Sequence, residues 1–186
     1  MSRPHPTIDD LQRVHQLAAE QFPHEYLDVG LGAIGLFLHN SAKNAGYIQT
    51  PLNSITFASV GVDGIHFGSI TDGHNVVSES PIVVTIPMAF DQPDYIVGES
   101  LYDFLCLGCR HGYSNLGNLH PNLEVTLDHY TNPPNDFYDD RAPGILQLLR
   151  DQFSLRPWRD VRAHFHDLQR RFLGSLRTAT IPGESE

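Results

Sequence analysis

The sequence predicts an α+β fold in which a central, mostly antiparallel sheet packs against helices. Short β-rich runs separated by glycine-bearing turns lie near residues 55–86 and read as a meander. Apolar residues recur at helical spacing on both sides of that meander. Hydrophobic residues make up 40% of the chain and charged residues 18%, the balance of a chain that buries a core. At 186 residues the chain is long enough for about one domain, and no internal repeat suggests a solenoid or propeller.

The first helix is expected from Ile8 to Gln21. Ile8, Leu11, Val14 or His15, Ala18 and Phe22 recur at helical spacing, Thr7 is placed to cap it, Asp9 and Asp10 suit its first turn, and Pro23 closes it. The stretch Gly30-Leu-Gly-Ala-Ile-Gly-Leu-Phe-Leu38 fits a buried strand or a short helix, and its glycine punctuation favours the strand. Asn40 to Asn53 reads as loop. Ile55 to Val60 and Ile65 to Ile70 read as strands joined by the turn Gly61-Val-Asp-Gly64, with a second turn at Asp72-Gly-His-Asn75. Between Pro81 and Pro87 lies a run apolar on both faces, expected to sit centrally under helices.

Val97 to Leu107 reads as a helix capped by Gly98 or Ser100, and Gly144 to Phe153 as a shorter one. Residues 132–140 read as loop. A longer amphipathic helix is expected from Pro157, with Trp158, Val161, Phe165, Leu168, Phe172 and Leu176 on its apolar stripe and its arginine face solvated. The chain thus divides into an α+β body over residues 1–155, a docked C-terminal helix over 156–178 and a loose tail over 179–186.

The net charge of −10 hides an asymmetry. Residues 51–140 hold twelve acids and only Arg110, whereas residues 141–186 hold eight arginines and five acids. So acidic a middle segment repels phosphate backbones and argues against nucleic-acid binding, while it attracts basic protein surfaces. The first ten residues are polar, and no apolar run reaches the roughly 18 residues of a membrane span. Two cysteines make no disulfide scaffold, so the expected setting is cytoplasmic and away from membranes.

Motifs for chemistry are sparse. Cys106-Leu-Gly-Cys109 has a redox and metal spacing, but it falls at a helix C-terminus, where a thiolate is disfavoured, and has no second ligand pair. It reads as two packed thiols. His164 and His166 lie on opposite helix faces, and the spacing of His111, His120 and His129 gives them no shared geometry. His66 is placed to share a pocket with Asp63. Gly30-Leu-Gly-Ala-Ile-Gly35 spells a dinucleotide fingerprint without the strand that should precede it. No nucleophile elbow or phosphate loop is present, and no catalytic residue, cofactor or metal ligand is assigned.

Several of these segments carry a resemblance. Phe22-Pro-His-Glu-Tyr26, Asn53-Ser-Ile-Thr-Phe-Ala58, Gly61-Val-Asp-Gly-Ile-His-Phe-Gly68, Ser80-Pro-Ile-Val-Val-Thr-Ile-Pro87 and Glu99-Ser-Leu-Tyr-Asp-Phe-Leu-Cys-Leu-Gly108 occur in an order that resembles the SUKH superfamily. That group includes the fungal cell-wall-assembly regulators and the bacterial Syd protein. The resemblance spans about residues 20–115 and implies an α+β fold with a central antiparallel sheet. Most bacterial members look like immunity proteins that neutralise a toxin, often a nuclease or nucleic-acid deaminase, and the family brings no catalytic residues.

The function expected is therefore a non-catalytic binding protein that neutralises a basic toxin domain through an acidic surface. Acids in loops and turns are the candidates for contact: Asp63 and Asp72 at the hairpin turns, Asp91 and Asp94 after the central strand, and Asp136, Asp139 and Asp140 further on. Phe137 and Tyr138 lie among the last three as aromatic anchors. Two alternatives stand beside this reading. One is a regulatory scaffold of the cell-wall-regulator type; the other is a small-molecule- or metal-binding enzyme using His66, Asp63 and the thiols.

Overall fold

The computed structural model describes residues 5–24 and 30–179. Residues 25–26 of the first resemblance segment, and the tail beyond residue 179, lie outside the described residues. Helix α1 spans Ile8–Gln21 as its apolar spacing requires. Thr7 accepts the Asp10 N–H, and the Asp10 carboxylate accepts the Thr7 N–H, so two otherwise orphan donors are satisfied in a capping box.

Gly30–Ile34 forms a 3₁₀ turn rather than the favoured strand. Its start is fixed by the Leu31 N–H, which donates to Nδ1 of His15 on α1 at 3.2 Å. The strand begins only at Phe37, and β1 runs Phe37–Lys43 into the stretch expected to be loop. Then follow β2 (Ser54–Ser59), β3 (His66–Ile70), β4 (Ile82–Thr85) and β5 (Asp94–Gly98). They form one antiparallel sheet in the order β1-β2-β3-β4-β5, so the meander predicted for three strands extends to five. The β2–β3 turn needs left-handed backbone at Gly61, Asp63 and Gly64, which glycine and aspartate tolerate best.

The two faces of the sheet are distinct. On one, Phe57, Phe67, Val84, Tyr95 and Val97 join the main core beneath α2 (Leu101–Gly108). Phe104 of α2 sits among the rings of Phe57, Phe67 and Tyr113, with centroids 6.1, 5.0 and 4.9 Å away. Removing each such ring from water contributes about 1.5–3 kcal/mol. The expected helix from Val97 is corrected here: Val97 and Gly98 belong to β5, and Ser100 caps α2 through the Asp103 N–H. β5 escaped notice because its alternation runs straight into the apolar stripe of α2.

Helix α3 (Leu119–Thr131) was not expected. Backbone at His120 and Asn122 is non-helical, so regular periodicity begins only at Leu123. Helix α4 (Ala142–Phe153) packs with α1 and the 3₁₀ turn. Helix α5 (Val161–Phe172) starts four residues later than Pro157, because the Asp160 side chain caps it by accepting the Ala163 N–H. Its Leu168 joins Ile70, Val83 and Ile96 on the second face of the sheet, with Trp158, Phe172 and Leu176 packed around them.

Gln169 of α5 touches the outer edge of β5. Ile96 donates its N–H to Gln169 Oε1 at 2.9 Å, and Gln169 Nε2 donates back to the Ile96 carbonyl at 2.7 Å. The arginine face of this segment is not left simply to solvent. Arg162 pairs with Glu124, Arg171 with Glu99 at 2.9 Å and Arg177 with Asp72 at 2.9 Å. Among the described residues no helix is long and apolar enough to cross a membrane.

Candidate protein interface

The fold sorts the acids of the middle segment into three groups. Asp94 leaves the surface altogether: it opens β5, is 5% exposed, and its carboxylate accepts from Thr85 Oγ1 at 2.6 Å. Burial raises its pKa to about 6, against the lowering effect of the Thr85 hydroxyl. A contact role for Asp94 as a loop acid is thereby corrected, since it pairs with Thr85 in the β4–β5 ladder.

A second group has basic side-chain partners in the same chain. Asp72 meets Arg177, Asp91 lies 3.4 Å from His120 Nε2, and Asp139 takes both the Nε and the backbone N–H of Arg141 at 2.9 Å. Arg141 holds the Asp139 carboxyl below its ordinary range. The third group, Asp63, Asp136 and Asp140, is exposed and forms no ion pair among the described residues. Asp63 stands by itself on the β2–β3 turn. Asp136 and Asp140 share a loop with Tyr138.

That loop is built on alternation. Phe137 is half-buried, its ring centroid 4.9 Å from that of His111, and Asp139 is clasped by Arg141. These two odd positions hold the segment to the body. Asp136, Tyr138 and Asp140, the even positions between and beside them, are all exposed, and Tyr138 is fully so. The result is an aromatic ring carried into solvent between two uncommitted carboxylates.

Helix α3 leads into this loop and extends the same surface. Thr126, Leu127 and Tyr130 are buried, while Glu124, Val125, Asp128 and Thr131 make the outward face. The regular residues 123–131, at 1.5 Å each, give the helix a reach of about 14 Å beyond the kink. Its first turn meets the β4–β5 turn through His120 and Asp91, where Met88 and Phe90 are exposed. Its last turn brings His129 against His111, with ring centroids 4.3 Å apart and nearly perpendicular. The expectation that these two histidines share no geometry is corrected, because α3 folds back over the end of α2.

No protein-family model, curated protein or solved structure matches the chain.

The loop borders a cavity of about 300 Å³ lined by residues that include His111, Asn115, His129, Pro134, Asp136 and Phe137. Asn118 Nδ2 donates to Asn115 Oδ1 at 3.2 Å, which fixes the orientation of the Asn115 amide. Asn115 Nδ2 then lies 2.7 Å from His129 Nε2 and can only donate to it, so His129 carries its proton on Nδ1. Burial lowers the pKa of both imidazoles, and proximity to His111 lowers that of His129 further, while Asp136 opposes the shift at each. Both rings are neutral at neutral pH, and the cavity wall is negative through Asp136.

The other candidates lie elsewhere. His66 and Asp63 do border a common cavity of about 290 Å³, together with His39, Tyr47 and Ser59. Both nitrogens of His66 are occupied: Nδ1 donates to the Gly64 carbonyl at 2.7 Å and Nε2 accepts from Thr50 Oγ1 at 3.1 Å. Cys106 and Cys109 are buried and unbridged, and burial raises both thiol pKa values, that of Cys109 to about 11. Among the described residues no group of three or more histidine, cysteine or acidic side chains is placed to hold a metal ion.

Sequence reasoning missed the part of this surface that α3 supplies. The signal was present in Leu123, Leu127 and Tyr130, spaced four and three apart, but Pro121 and Asn122 interrupt it before it can be read as a helix.

Proposed function

We propose that this chain is a non-catalytic inhibitor that binds and neutralises a basic protein, in the manner of an immunity protein facing its toxin. The observation that carries the proposal is the anchored loop in which Tyr138 stands exposed between Asp136 and Asp140. A large ring in water gains from burial against a partner, and tyrosines at the centre of interfaces are often worth about 2 kcal/mol or more. Flanking carboxylates steer a basic partner and suppress acidic ones. The rigid feet at Phe137 and Asp139 reduce the ordering cost of binding. The sequence resemblance to SUKH immunity proteins points to the same class of partner, a toxin whose own substrate is a polyanion.

The test is affinity capture from the native cell with wild-type protein and with the double variant Asp136→Arg/Asp140→Arg. Wild-type protein should retain a stoichiometric basic protein, release it as salt rises, and abolish its toxic activity when added back. The double variant should retain at most about a tenth as much. Equal retention by the variant, or a retained protein whose activity is unaffected, overturns the proposal.

A further inference from the structure

The Asp–Gly dipeptide occurs twice in the chain, at Asp63-Gly64 after β2 and at Asp72-Gly73 after β3, and both aspartates are exposed. Glycine puts no Cβ beside its own nitrogen, which leaves that nitrogen open to the preceding carboxyl. The first pair sits in a tight hairpin turn. Ile65 donates its N–H to the Val62 carbonyl at 3.1 Å, with Asp63 at φ +53° and Gly64 at φ +68° between them. Positive φ at both central positions makes the turn type I′. There ψ of the first central residue is about +30°, which turns the Gly64 nitrogen away from the Asp63 side chain. Flipping the peptide plane between the two gives the type II′ turn, with ψ about −120° and the nitrogen swung beside Cβ. Type II′ also closes a hairpin, so the Val62–Ile65 bond survives the flip. Neither the Asp63 carbonyl nor the Gly64 N–H has a hydrogen-bond partner among the described residues, so no bond is lost.

The second pair is held in place at both reacting groups. Gly73 donates its N–H to Thr71 Oγ1 at 3.0 Å, and the Asp72 carboxylate meets the Arg177 guanidinium at 2.9 Å. Arg177 is itself fixed, since its backbone N–H donates to Asn53 Oδ1 at 2.9 Å. A flip of the peptide plane here breaks the first contact, and closing a ring on the carboxyl breaks the second.

We infer that Asp63 is a site of spontaneous isomerisation to isoaspartate, while the turn around Asp72 protects the same dipeptide. The Gly64 nitrogen gives up its proton and bonds to Cγ of the protonated Asp63 carboxyl. The Cγ–OH bond breaks, one water leaves, and a five-membered imide remains. Water then adds to either imide carbonyl. Addition at Cγ restores aspartate; addition at the backbone carbonyl breaks its bond to Gly64 and routes the chain through Cβ and Cγ. No electrons are exchanged, and the mass returns to its starting value. The isomer adds one atom to the backbone of a turn whose length sets the β2–β3 register, and it moves the carboxylate directly onto Cα. The reaction is the chain's own and needs no partner, so it stands apart from the binding role proposed above.

The experiment keeps the full chain warm at neutral pH for several weeks, once folded and once unfolded in urea. Digestion and electron-transfer mass spectrometry then locate isoaspartate, because that fragmentation cuts the Cα–Cβ bond that only the isomer carries in its backbone. In the folded protein the isomer should build up several-fold faster at Asp63 than at Asp72. In urea, where neither turn exists, the two rates should converge. The double variant Thr71→Val/Arg177→Ala removes both restraints on the second pair and should raise its rate towards that of Asp63, with thermal unfolding checked alongside. Asp63→Asn keeps the turn chemistry and reaches the same imide by losing ammonia, so it should convert faster than Asp63 itself. Equal or reversed rates in the folded protein, or a ratio that urea leaves unchanged, overturn the inference. So do a folded double variant in which Asp72 stays protected, and an Asp63→Asn protein that keeps its amide.

Discussion

Asp94 and Tyr138 depart from the ordinary rule for their residue types in opposite directions, an acid inside and an aromatic outside. For Asp94 the consequence is a pH-dependent cost. Its pKa rises from an ordinary 3.8 to about 6 on folding, so between those values the native state holds a proton that the unfolded chain has released. Stability must fall as pH rises through that window and stay lowered above it, by about 3 kcal/mol for a shift of about two units. Asp94→Asn keeps an oxygen for Thr85 Oγ1 and removes the charge. It should raise Tm by several degrees at about pH 7.5 and leave it nearly unchanged at about pH 4, as calorimetry at the two pH values will show. Tyr138 has almost nothing to lose in the free protein. Tyr138→Ala should leave thermal unfolding unchanged and weaken partner binding about tenfold or more, measured by titration calorimetry.

Between elements, the junction from α2 to α3 is the place least tolerant of change. Gly112 has φ +89°, and a Cβ there would lie 2.6 Å from the Ile34 carbonyl oxygen, which already accepts the Tyr113 N–H at 2.7 Å. Its own carbonyl accepts the Tyr130 hydroxyl at 3.1 Å, tying α3 to the same point. Gly112→Ala should cost more than about 3 kcal/mol, read as a lowered midpoint in urea. Much of the element order was legible in the sequence: α1 to the residue, the hairpin turns, and the stripe of α5, each of which signals locally through capping, turn residues or period. The 3₁₀ turn at Gly30–Ile34, strand β5 and helix α3 were not, because each depends on contacts made elsewhere. His15 fixes the first, pairing with β4 defines the second, and the core beneath Leu127 and Tyr130 holds the third. The candidate surface was half legible for the same reason. Loop position suggested Asp136, Tyr138 and Asp140, but alternation alone could not reveal that Arg141 claims Asp139, nor could spacing show that His111 and His129 meet.

Across the whole molecule, charge is redistributed by packing. Arginines of the C-terminal segment pair with Glu99, Glu124 and Asp72, so along α3 and the loop after it the exposed acids that form no ion pair among the described residues are Asp128, Asp136 and Asp140. The proposed binding surface is thus shaped by α5 although α5 contributes none of its acids. The sheet is finished in an equally indirect way. At β1 a register shift between Leu38 and Lys43 and the exposed Lys43 blunt the edge. At β5 the Gln169 carboxamide offers one acceptor and one donor to a single residue, which is what the next chain of a growing fibre would offer. The molecule is therefore a terminated polymer as much as a folded domain, with a side chain as the terminator. Gln169→Ala should turn that end into a template, and light scattering of the concentrated variant should rise with time where the parent solution stays clear.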